Sequence, residues 1–449
     1  MVIKEWYDYW NLREDPFTLS PLDFKGSISY ELFIDTDNIK KIETDISSIV
    51  NGELKKKLII LGGRGIGKST SLNYYYHQIA TRVSKSYSDI SLKKYQYILP
   101  LLITFNNPTI FQNISTFTQG FILEFLDSLS TALIDSELNP NITGTGYIVN
   151  YIKKLKDNNE ISPNNLKDII DLVNQHFQKT IIFIDNLDKI KDDEIILNWL
   201  NYSQGLFENI FWQENVATII CGGAQVTWLY TSDSDDFSWF FDKPIVMDPW
   251  NSQDIKALIT KRLSYMSKNS KSYSINDYFE DEALNLIITG CLGCPRKCQD
   301  VARRFLIYGA EKECKPISHK FYIDNKNYFE KFMTRDPEEY LCHFTNWFLL
   351  STKMQKSHRT ALKNVTTLLK KNKIKAKSLV DDLFILYNTD NFESVSNPTD
   401  LQIGNIVQYN KIDNTYILDI KVYNLLKDIH EHNFNDQNLT EQFLLNVGI

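Results

Sequence analysis

Residues 62–69 have the sequence Gly-Gly-Arg-Gly-Ile-Gly-Lys-Ser, and this stretch decides the fold of the chain. It matches the pattern G-x-x-x-x-G-K-[ST], whose glycines let backbone N–H groups turn inward around an anion. Residues 57–61 predict a strand directly before the motif, and residues 70–83 predict a helix directly after it. The start of that helix adds a partial positive charge. The sequence therefore predicts a phosphate-binding loop between a strand and a helix.

The chemistry of this loop assigns a role to each type of residue in it. Lys68 should reach the β and γ phosphates of a nucleotide, and the Ser69 hydroxyl should ligate Mg²⁺. An ordinary glycine-rich turn would not explain a Lys-Ser pair at that offset. We therefore predict ATP and Mg²⁺ as ligands. The predicted nucleotide-binding residues are Gly62, Gly63, Arg64, Gly65, Ile66, Gly67, Lys68, Ser69 and Thr70.

A site of this kind needs a carboxylate at the end of a neighbouring strand to hold the hydrated Mg²⁺ together with Ser69. Residues 181–184 are four consecutive apolar residues that predict a buried central strand, and Asp185 follows them directly. Ligands gather at the carboxyl ends of such strands. One more strand, at residues 98–105, is predicted between the loop and Asp185 in the chain. This order is typical of P-loop ATPases with an additional strand. In those proteins the strand that carries the carboxylate is not the next strand in the chain after the one that precedes the loop.

The residue after Asp185 departs from the commonest pattern, which places a glutamate there to polarise the attacking water. Asn186 can orient a water molecule but cannot accept its proton. Asp188 could take that role if the chain turns there, and a helix N-cap is a nearly equal alternative for it. The sequence leaves two outcomes open, slow ATP hydrolysis or a nucleotide-dependent switch.

The pattern of apolar runs and breakers predicts an α/β protein of the P-loop NTPase fold, an αβα sandwich around a parallel sheet. The predicted strands cover residues 58–61, 98–105, 181–184, 217–221 and 245–247. The predicted domains are a leader packed on the ATPase core at 1–35, the core at 36–248, a helical lid at 249–325 and a C-terminal domain at 326–449. The C-terminal domain is expected to be mainly helical. A predicted hairpin over residues 403–420 gives it the element order of a winged helix.

The stretch Gly-Cys-Pro-Arg at residues 293–296 follows one predicted lid helix and opens another. It resembles the sensor-2 motif of AAA+ ATPases, in which an arginine of the lid reaches the γ-phosphate. By this resemblance Arg296 joins Lys68, Asp185 and Asp188 as the predicted catalytic residues. A surface arginine with no such role is the alternative.

Composition limits the other classes of protein. With 49 basic and 56 acidic residues the formal net charge is −7, which argues against a uniformly cationic nucleic-acid binder. There is no signal peptide and no apolar run that could span a membrane, so we expect a cytoplasmic protein without membrane contact. Six cysteines are too few for a disulfide framework. Cys291, Cys294 and Cys298 could supply thiolates to a metal, but a fourth ligand is not evident, and we expect small apolar residues of the lid.

Taken together, these motifs resemble the AAA+ superfamily over residues 16–310, especially its origin-recognition/Cdc6-like and STAND-like branches. Pro16-Phe17 followed by residues 30–36 is similar to the leader of ExeA-type and TnsC-type ATPases. That resemblance implies that Tyr30, Phe33 and Ile34 line an adenine pocket.

Two departures from the AAA+ pattern concern the groups that support hydrolysis. The first departure concerns sensor 1, the polar residue that ends the fourth strand in AAA+ ATPases. In this chain the nearest polar candidate is Gln225, which follows the predicted strand rather than ending it. No arginine occurs between Arg82 and Arg262, so the usual trans-acting arginine finger is missing, and Lys243 lacks the bidentate fork of an arginine. A ring that hydrolyses ATP through its neighbouring subunits therefore becomes less probable than a clamp or a switch.

The acidic chain contains one basic segment, with nine positive charges and no acidic residue between Lys353 and Lys377. It could contact several phosphates of duplex DNA, and a solvated lysine-rich face is the alternative. Two hypotheses follow. The first is an ATP-loaded, DNA-associated regulator, and the second is a STAND-like signalling ATPase of a bacterial defence system. Both imply a protein partner or a homo-oligomer.

Overall fold

The computed structural model describes residues 6–17, 20–52, 57–62, 65–105, 114–135, 144–158, 162–187, 213–222, 244–269, 274–291, 293–333, 407–410 and 415–418. The chain divides into two compact units. One covers Leu19–Asp248 and is termed the sheet unit, and the other combines Met1–Thr18 with Pro249–Ile449 and is termed the helical unit. The predicted ATPase core and the sheet unit end at the same residue, Asp248.

The sheet unit is built around five parallel strands in the order β2-β3-β4-β1-β5. They are β1 (Lys57–Leu61), β2 (Ile98–Thr104), β3 (Lys179–Asp185), β4 (Val216–Gly222) and β5 (Ile245–Val246). All five predicted strands are confirmed, with bounds that differ by no more than two residues. Their interior residues are nearly all apolar and buried, because helices cover both faces of a parallel sheet.

The position of β4 identifies the type of sheet. It pairs with β1 on one side, where Ile60 is opposite Cys221, and with β3 on the other, where Ile184 is opposite Ile220. The strand that ends in Asp185 is therefore separated from the strand that precedes the loop by one intervening strand. This is the order of the additional-strand P-loop NTPases, and the predicted P-loop NTPase fold is confirmed.

Within the described residues, the helices begin and end as follows: α1 (Trp6–Tyr9), α2 (Ser27–Leu32), α3 (Asp37–Asn51), α4 (Lys68–Lys85), α5 (Ile114–Ile134), α6 (Gly146–Asp157), α7 (Pro163–Asn174), α8 (Ser252–Met266), α9 (Asp281–Gly290), α10 (Pro295–Glu311), α11 (His319–Asp324) and α12 (Lys326–Met333). A short 3₁₀ helix covers Ile90–Tyr95. Among the helices described, none is long and apolar enough to cross a lipid bilayer.

Local sequence signals set the bounds of several helices in the sheet unit. Helix α3 buries isoleucines spaced three and four residues apart and ends at Gly52, whose left-handed φ of 78° lets its N–H reach the carbonyls of Ile49 and Ser48. Helix α7 begins with Pro163, and a capping box joins Ser162 to Asn165. The predicted helices at 38–50 and 70–83 are confirmed as α3 and α4.

The helical unit packs α8, α9, α10 and the short helices after them around one apolar core. The predicted lid helices at 252–267, 281–288 and 296–310 are confirmed as α8, α9 and α10. Cys291, Cys294 and Cys298 are all fully buried in this unit, as expected of small apolar residues. Burial raises the pKa of the Cys291 thiol well above its ordinary value.

The N-terminal leader differs from its predicted packing, because its first part belongs to the helical unit. The Trp10 indole N–H donates to the Leu306 carbonyl at 2.7 Å, and its ring stacks on Tyr278 at 5.9 Å between centroids. Asp15 accepts a hydrogen bond from the Arg303 guanidinium. Hydrophobicity alone predicts that this aromatic segment is buried, but not which core it completes. Residues 6–17 therefore group with the helical unit, whereas the prediction packed the whole leader on the ATPase core.

The same part of the leader surrounds a buried cation of the helical unit. Arg262 is buried on α8, and its guanidinium donates to the Pro16 carbonyl at 3.4 Å. Burial lowers the pKa of Arg262 to about 10, an effect that the nearby Asp15 carboxylate opposes. The leader thus supplies a carbonyl acceptor and a negative charge to an arginine that α8 holds away from water.

Beyond Met333, the C-terminal region is described only at its hairpin. Strands β6 (Val407–Asn410) and β7 (Thr415–Leu418) are antiparallel, with Tyr409 opposite Tyr416. The predicted hairpin is confirmed with shorter strands. The winged-helix order and the basic segment between Lys353 and Lys377 lie outside the described residues, so both stay predictions.

We expect Trp10→Ala to lower the free energy of unfolding by about 3–5 kcal/mol, because the substitution empties a space that Trp10 fills at 1% exposure. Ile323→Ala is the control, since Ile323 is half exposed in the same unit and should cost about 0.5 kcal/mol or less. Urea unfolding followed by circular dichroism measures both. Equal losses for the two variants would show that the leader is not part of the core.

Candidate nucleotide-binding site

The loop between β1 and α4 adopts a backbone that suits glycine. Gly65 and Gly67 have φ values of 83° and 110°, in the left-handed region where a side chain is strained. A Cβ on Gly62 would lie 2.9 Å from Cγ2 of Ile66, closer than carbon atoms approach. Gly63 and Arg64 lie outside the described residues, and their contact with phosphate stays a prediction.

Lys68 is the first residue of α4, and its side chain folds back over the loop. The ammonium donates to the Gly62 carbonyl at 2.9 Å, and Lys68 is only 6% exposed. A buried ammonium at the start of a helix adds a full positive charge to the partial charge of the helix end. The interior of the loop therefore presents a strong field for an anion such as a phosphate.

Ser69 and Asp185 meet across the sheet although they are 116 residues apart. The Ser69 hydroxyl donates to Oδ1 of Asp185 at 3.0 Å, and the aspartate is 5% exposed. A hydroxyl and a carboxylate are the hard oxygen ligands that Mg²⁺ prefers, usually with several waters. The residues predicted to hold the metal are thus brought together with the right chemistry for it.

The end of β4 supplies a group that the sequence analysis missed. Cys221 is buried, and its thiol lies 3.8 Å from the carbonyl oxygen of Lys68. Its place at the carboxyl end of a predicted strand was a usable signal, because ligand-binding groups gather at that edge. The predicted sensor-1 candidate Gln225 lies outside the described residues, as does Lys243.

Aromatic residues of the leader pack on the helix that starts at the loop. Phe33 stacks on Tyr74 of α4 with ring centroids 4.2 Å apart, and Tyr30 meets the edge of Phe24 at 5.1 Å. Asn73, the residue before Tyr74, donates to the Leu22 carbonyl at 3.1 Å. These contacts attach residues 20–36 to α4, and the roles of Tyr30, Phe33 and Ile34 toward adenine stay predictions.

The structure describes one of the two residues on which the hydrolysis prediction depends. Asn186 follows β3 with a left-handed φ of 69°. Asp188 lies outside the described residues, so neither its role as a base nor its role as an N-cap is tested.

Arg296 is the second residue of α10, is partly exposed and belongs to the helical unit. The residue that opens its motif, Gly293, is needed for close packing, since a Cβ there would lie 2.6 Å from the Trp250 carbonyl oxygen. The Trp250 N–H also donates to the Gly293 carbonyl at 2.8 Å. The action of Arg296 on a nucleotide stays a prediction.

Similarity to known proteins is found among solved structures. No protein-family model matches the chain, and the curated proteins contain no match to it. Among solved structures, the Aeropyrum pernix ORC2 protein in its ADPNP-ADP complexes aligns at 11% identity over 92% of this chain and 96% of that one, with a TM-score of 0.40.

Two further solved structures are similar to the same degree. Aeropyrum pernix ORC1 in complex with DNA aligns at 11% identity over 91% of this chain and 98% of that one, with a TM-score of 0.41. The Walker-type ATPase of Pyrococcus abyssi aligns at 13% identity over 92% and 99%, also at 0.41. They include the ORC proteins that the sequence motifs resemble. At such TM-scores the likeness carries no argument, and the fold assignment rests on the strand order.

We expect Ser69→Ala and Asp185→Asn to remove most of the gain in ATP affinity that Mg²⁺ provides, because the first deletes a hydroxyl ligand of the ion and the second removes the negative charge of the carboxylate. Ser71→Ala is the matched control, since its hydroxyl bonds only back to the Gly67 carbonyl among the contacts described. Titration calorimetry with and without EDTA measures the gain. A Ser69→Ala variant that keeps the full Mg²⁺ effect would contradict the assigned metal site.

Proposed function

We propose that this chain is an ATP-binding, AAA+-like ATPase that acts as a nucleotide-dependent regulator or assembly switch and is associated with DNA. The observation that carries the proposal is the Ser69–Asp185 hydrogen bond beside the buried Lys68 ammonium. A phosphate loop, a cation and two oxygen ligands at the carboxyl edge of one parallel sheet have the chemistry that Mg-ATP requires.

Each group of the site has a separate task in this proposal. The N–H groups of the loop and the Lys68 ammonium bind and orient the β and γ phosphates, while Ser69 and Asp185 hold Mg²⁺. When bound, Mg²⁺ neutralises part of the charge on the phosphates. Asn186 orients the attacking water without accepting its proton, so turnover is slow unless Asp188 acts as the base. Slow turnover gives the ATP-bound state a long lifetime, which suits a switch.

Arg296 is proposed to report the state of the nucleotide to the helical unit. A guanidinium binds the negative charge of the γ-phosphate, which ATP carries and ADP lacks, so its contacts differ between the two nucleotides. Only such a difference in contacts can shift a conformational equilibrium.

The alternative function is a STAND-like signalling ATPase that binds a protein partner. It is favoured by Asn186 in place of a glutamate and by the lack of any arginine between Arg82 and Arg262. The DNA-associated function is favoured by the nine positive charges between Lys353 and Lys377. Both functions need the same ATP site, so they are separated by their partners.

The ATP site is tested by Lys68→Ala, which we expect to abolish ATP and ADP binding because the loop loses its ammonium. Lys93→Ala removes an exposed lysine of the same unit and should bind as the unmodified chain does. Titration calorimetry measures both variants, and circular dichroism checks that they are folded. Binding by Lys68→Ala at unchanged affinity would overturn the proposal.

We expect Arg296→Ala to leave ADP affinity unchanged and to remove any preference for ATP over ADP, since the proposed role of Arg296 concerns only the γ-phosphate, which ADP lacks. Lys297→Ala is the matched control, because it deletes the adjacent positive charge of the same helix. Competition between the two nucleotides in a fluorescence displacement assay gives the preference. Equal losses of ATP and ADP affinity would assign Arg296 a structural role instead.

The two functions are separated by charge reversal. We expect Lys370→Glu, Lys371→Glu and Lys373→Glu together to weaken duplex DNA binding and to flatten its salt dependence by about three phosphate contacts. Reversal of Lys93, Lys153 and Lys167, which are exposed on the sheet unit, controls for net charge. Unchanged affinity for duplex DNA would contradict the DNA hypothesis.

A separate experiment follows assembly by light scattering with and without ATP. If ATP changes neither the size of the protein assembly nor its binding to a partner, the switch hypothesis is contradicted.

A further inference from the structure

Asn186 occupies a backbone conformation that few residue types accept. Its φ of 69° lies in the left-handed region, where asparagine is tolerated better than other residues with a side chain and glycine is tolerated best. A glutamate, the residue expected here by the commonest pattern, would be strained at this angle. The choice of Asn186 therefore has a conformational reason besides the chemical one.

Structure on both sides of Asn186 holds this conformation in place. On one side Asp185 is in register with Thr104 of β2, and its carboxylate accepts the Ser69 hydroxyl. On the other side Leu187 is buried at 2% exposure. Since both neighbours are anchored, a residue that avoids the left-handed region must displace one of them.

The two anchors differ in strength. Withdrawal of Leu187 from the core would expose a whole apolar side chain to water. The Ser69–Asp185 hydrogen bond can instead break by a rotation of the Asp185 side chain, which leaves the register of Asp185 with Thr104 intact. A strained residue at 186 would therefore relax mainly by moving Asp185 away from Ser69, and Leu187 would stay in the core.

We propose that the left-handed backbone at Asn186 positions the Asp185 carboxylate against Ser69 and so sets the affinity of the site for Mg-nucleotide. This inference rests on the proposed ATP site and makes Asn186 a positioning residue. It also predicts that Asn186→Glu does not create a fast ATPase, because a side chain at a left-handed residue does not point where it would on a continued strand.

The first experiment compares Asn186→Gly, Asn186→Ala and Asn186→Glu by calorimetric ATP titration with Mg²⁺ and with EDTA. The Gly variant accepts the left-handed backbone and should keep the ratio of the two affinities within about twofold of the unmodified chain. The Ala and Glu variants should lower that ratio about 5- to 30-fold. Ala carries no charge, so a loss shared by Ala and Glu is conformational.

Two results of this titration would overturn the inference. If the ratio of ATP affinities with Mg²⁺ and with EDTA is the same in all three variants, the backbone at 186 does not position Asp185. An equal loss in the Gly and Glu variants would assign the effect to the amide of Asn186. A further contradiction would be fast ATP turnover by Asn186→Glu.

A second experiment needs no nucleotide and stands even if the ATP site fails its own test. Ser69→Ala is combined with each Asn186 variant, and the shift of the urea midpoint is measured for each pair. The shift caused by Ser69→Ala should be the same in the unmodified and Asn186→Gly chains and smaller in Asn186→Ala, where the Ser69–Asp185 bond is already weakened. Equal shifts in all backgrounds would overturn the inference. If the unmodified chain does not bind ATP, only the proposed function is rejected.

Discussion

The hydrogen bond from Ser69 to Asp185 is the contact on which the candidate site depends. It joins the helix that follows β1 to the end of β3, and those two strands are separated by β4. The register of three strands therefore sets the distance between two side chains. A shift of β3 by one residue would turn the Asp185 side chain to the other face of the sheet. The pairing of the buried apolar strands thus also determines the geometry of the polar groups at the carboxyl edge of the sheet.

Burial of charge at that edge has an energetic consequence. Lys68 and Asp185 are both nearly inaccessible, and a charge held away from water is costly unless polar partners surround it. The partners in this site include the Gly62 carbonyl for Lys68 and the Ser69 hydroxyl for Asp185. A bound nucleotide would supply negative charge to the ammonium, and its cation would supply positive charge to the carboxylate. The same pre-formed polarity that favours a ligand makes the ligand-free sheet unit less stable than a purely apolar edge would be, so ligand binding should stabilise this unit.

Much of the fold could be predicted from local patterns. Each strand of the sheet is a short apolar run, and the loop motif marks the junction of β1 and α4 without ambiguity. The pair Ser69 and Asp185 followed from the chemistry of a metal-nucleotide site. The packing of Trp10 and Phe17 could not be predicted, because hydrophobicity indicates burial without naming the core. The left-handed backbone at Asn186 was also hidden, since asparagine occurs in many conformations and only its anchored neighbours select this one.

The division of the leader between two units affects how the protein is made. Trp10 and its partner Leu306 are 296 residues apart in the chain. At a synthesis rate of about 5–20 residues per second, roughly 15–60 s pass between the emergence of the two from the ribosome. The intervening sheet unit can fold in that time, while the aromatic start of the chain still lacks the helices that bury it. The core of the helical unit therefore becomes complete only after these helices have been synthesised.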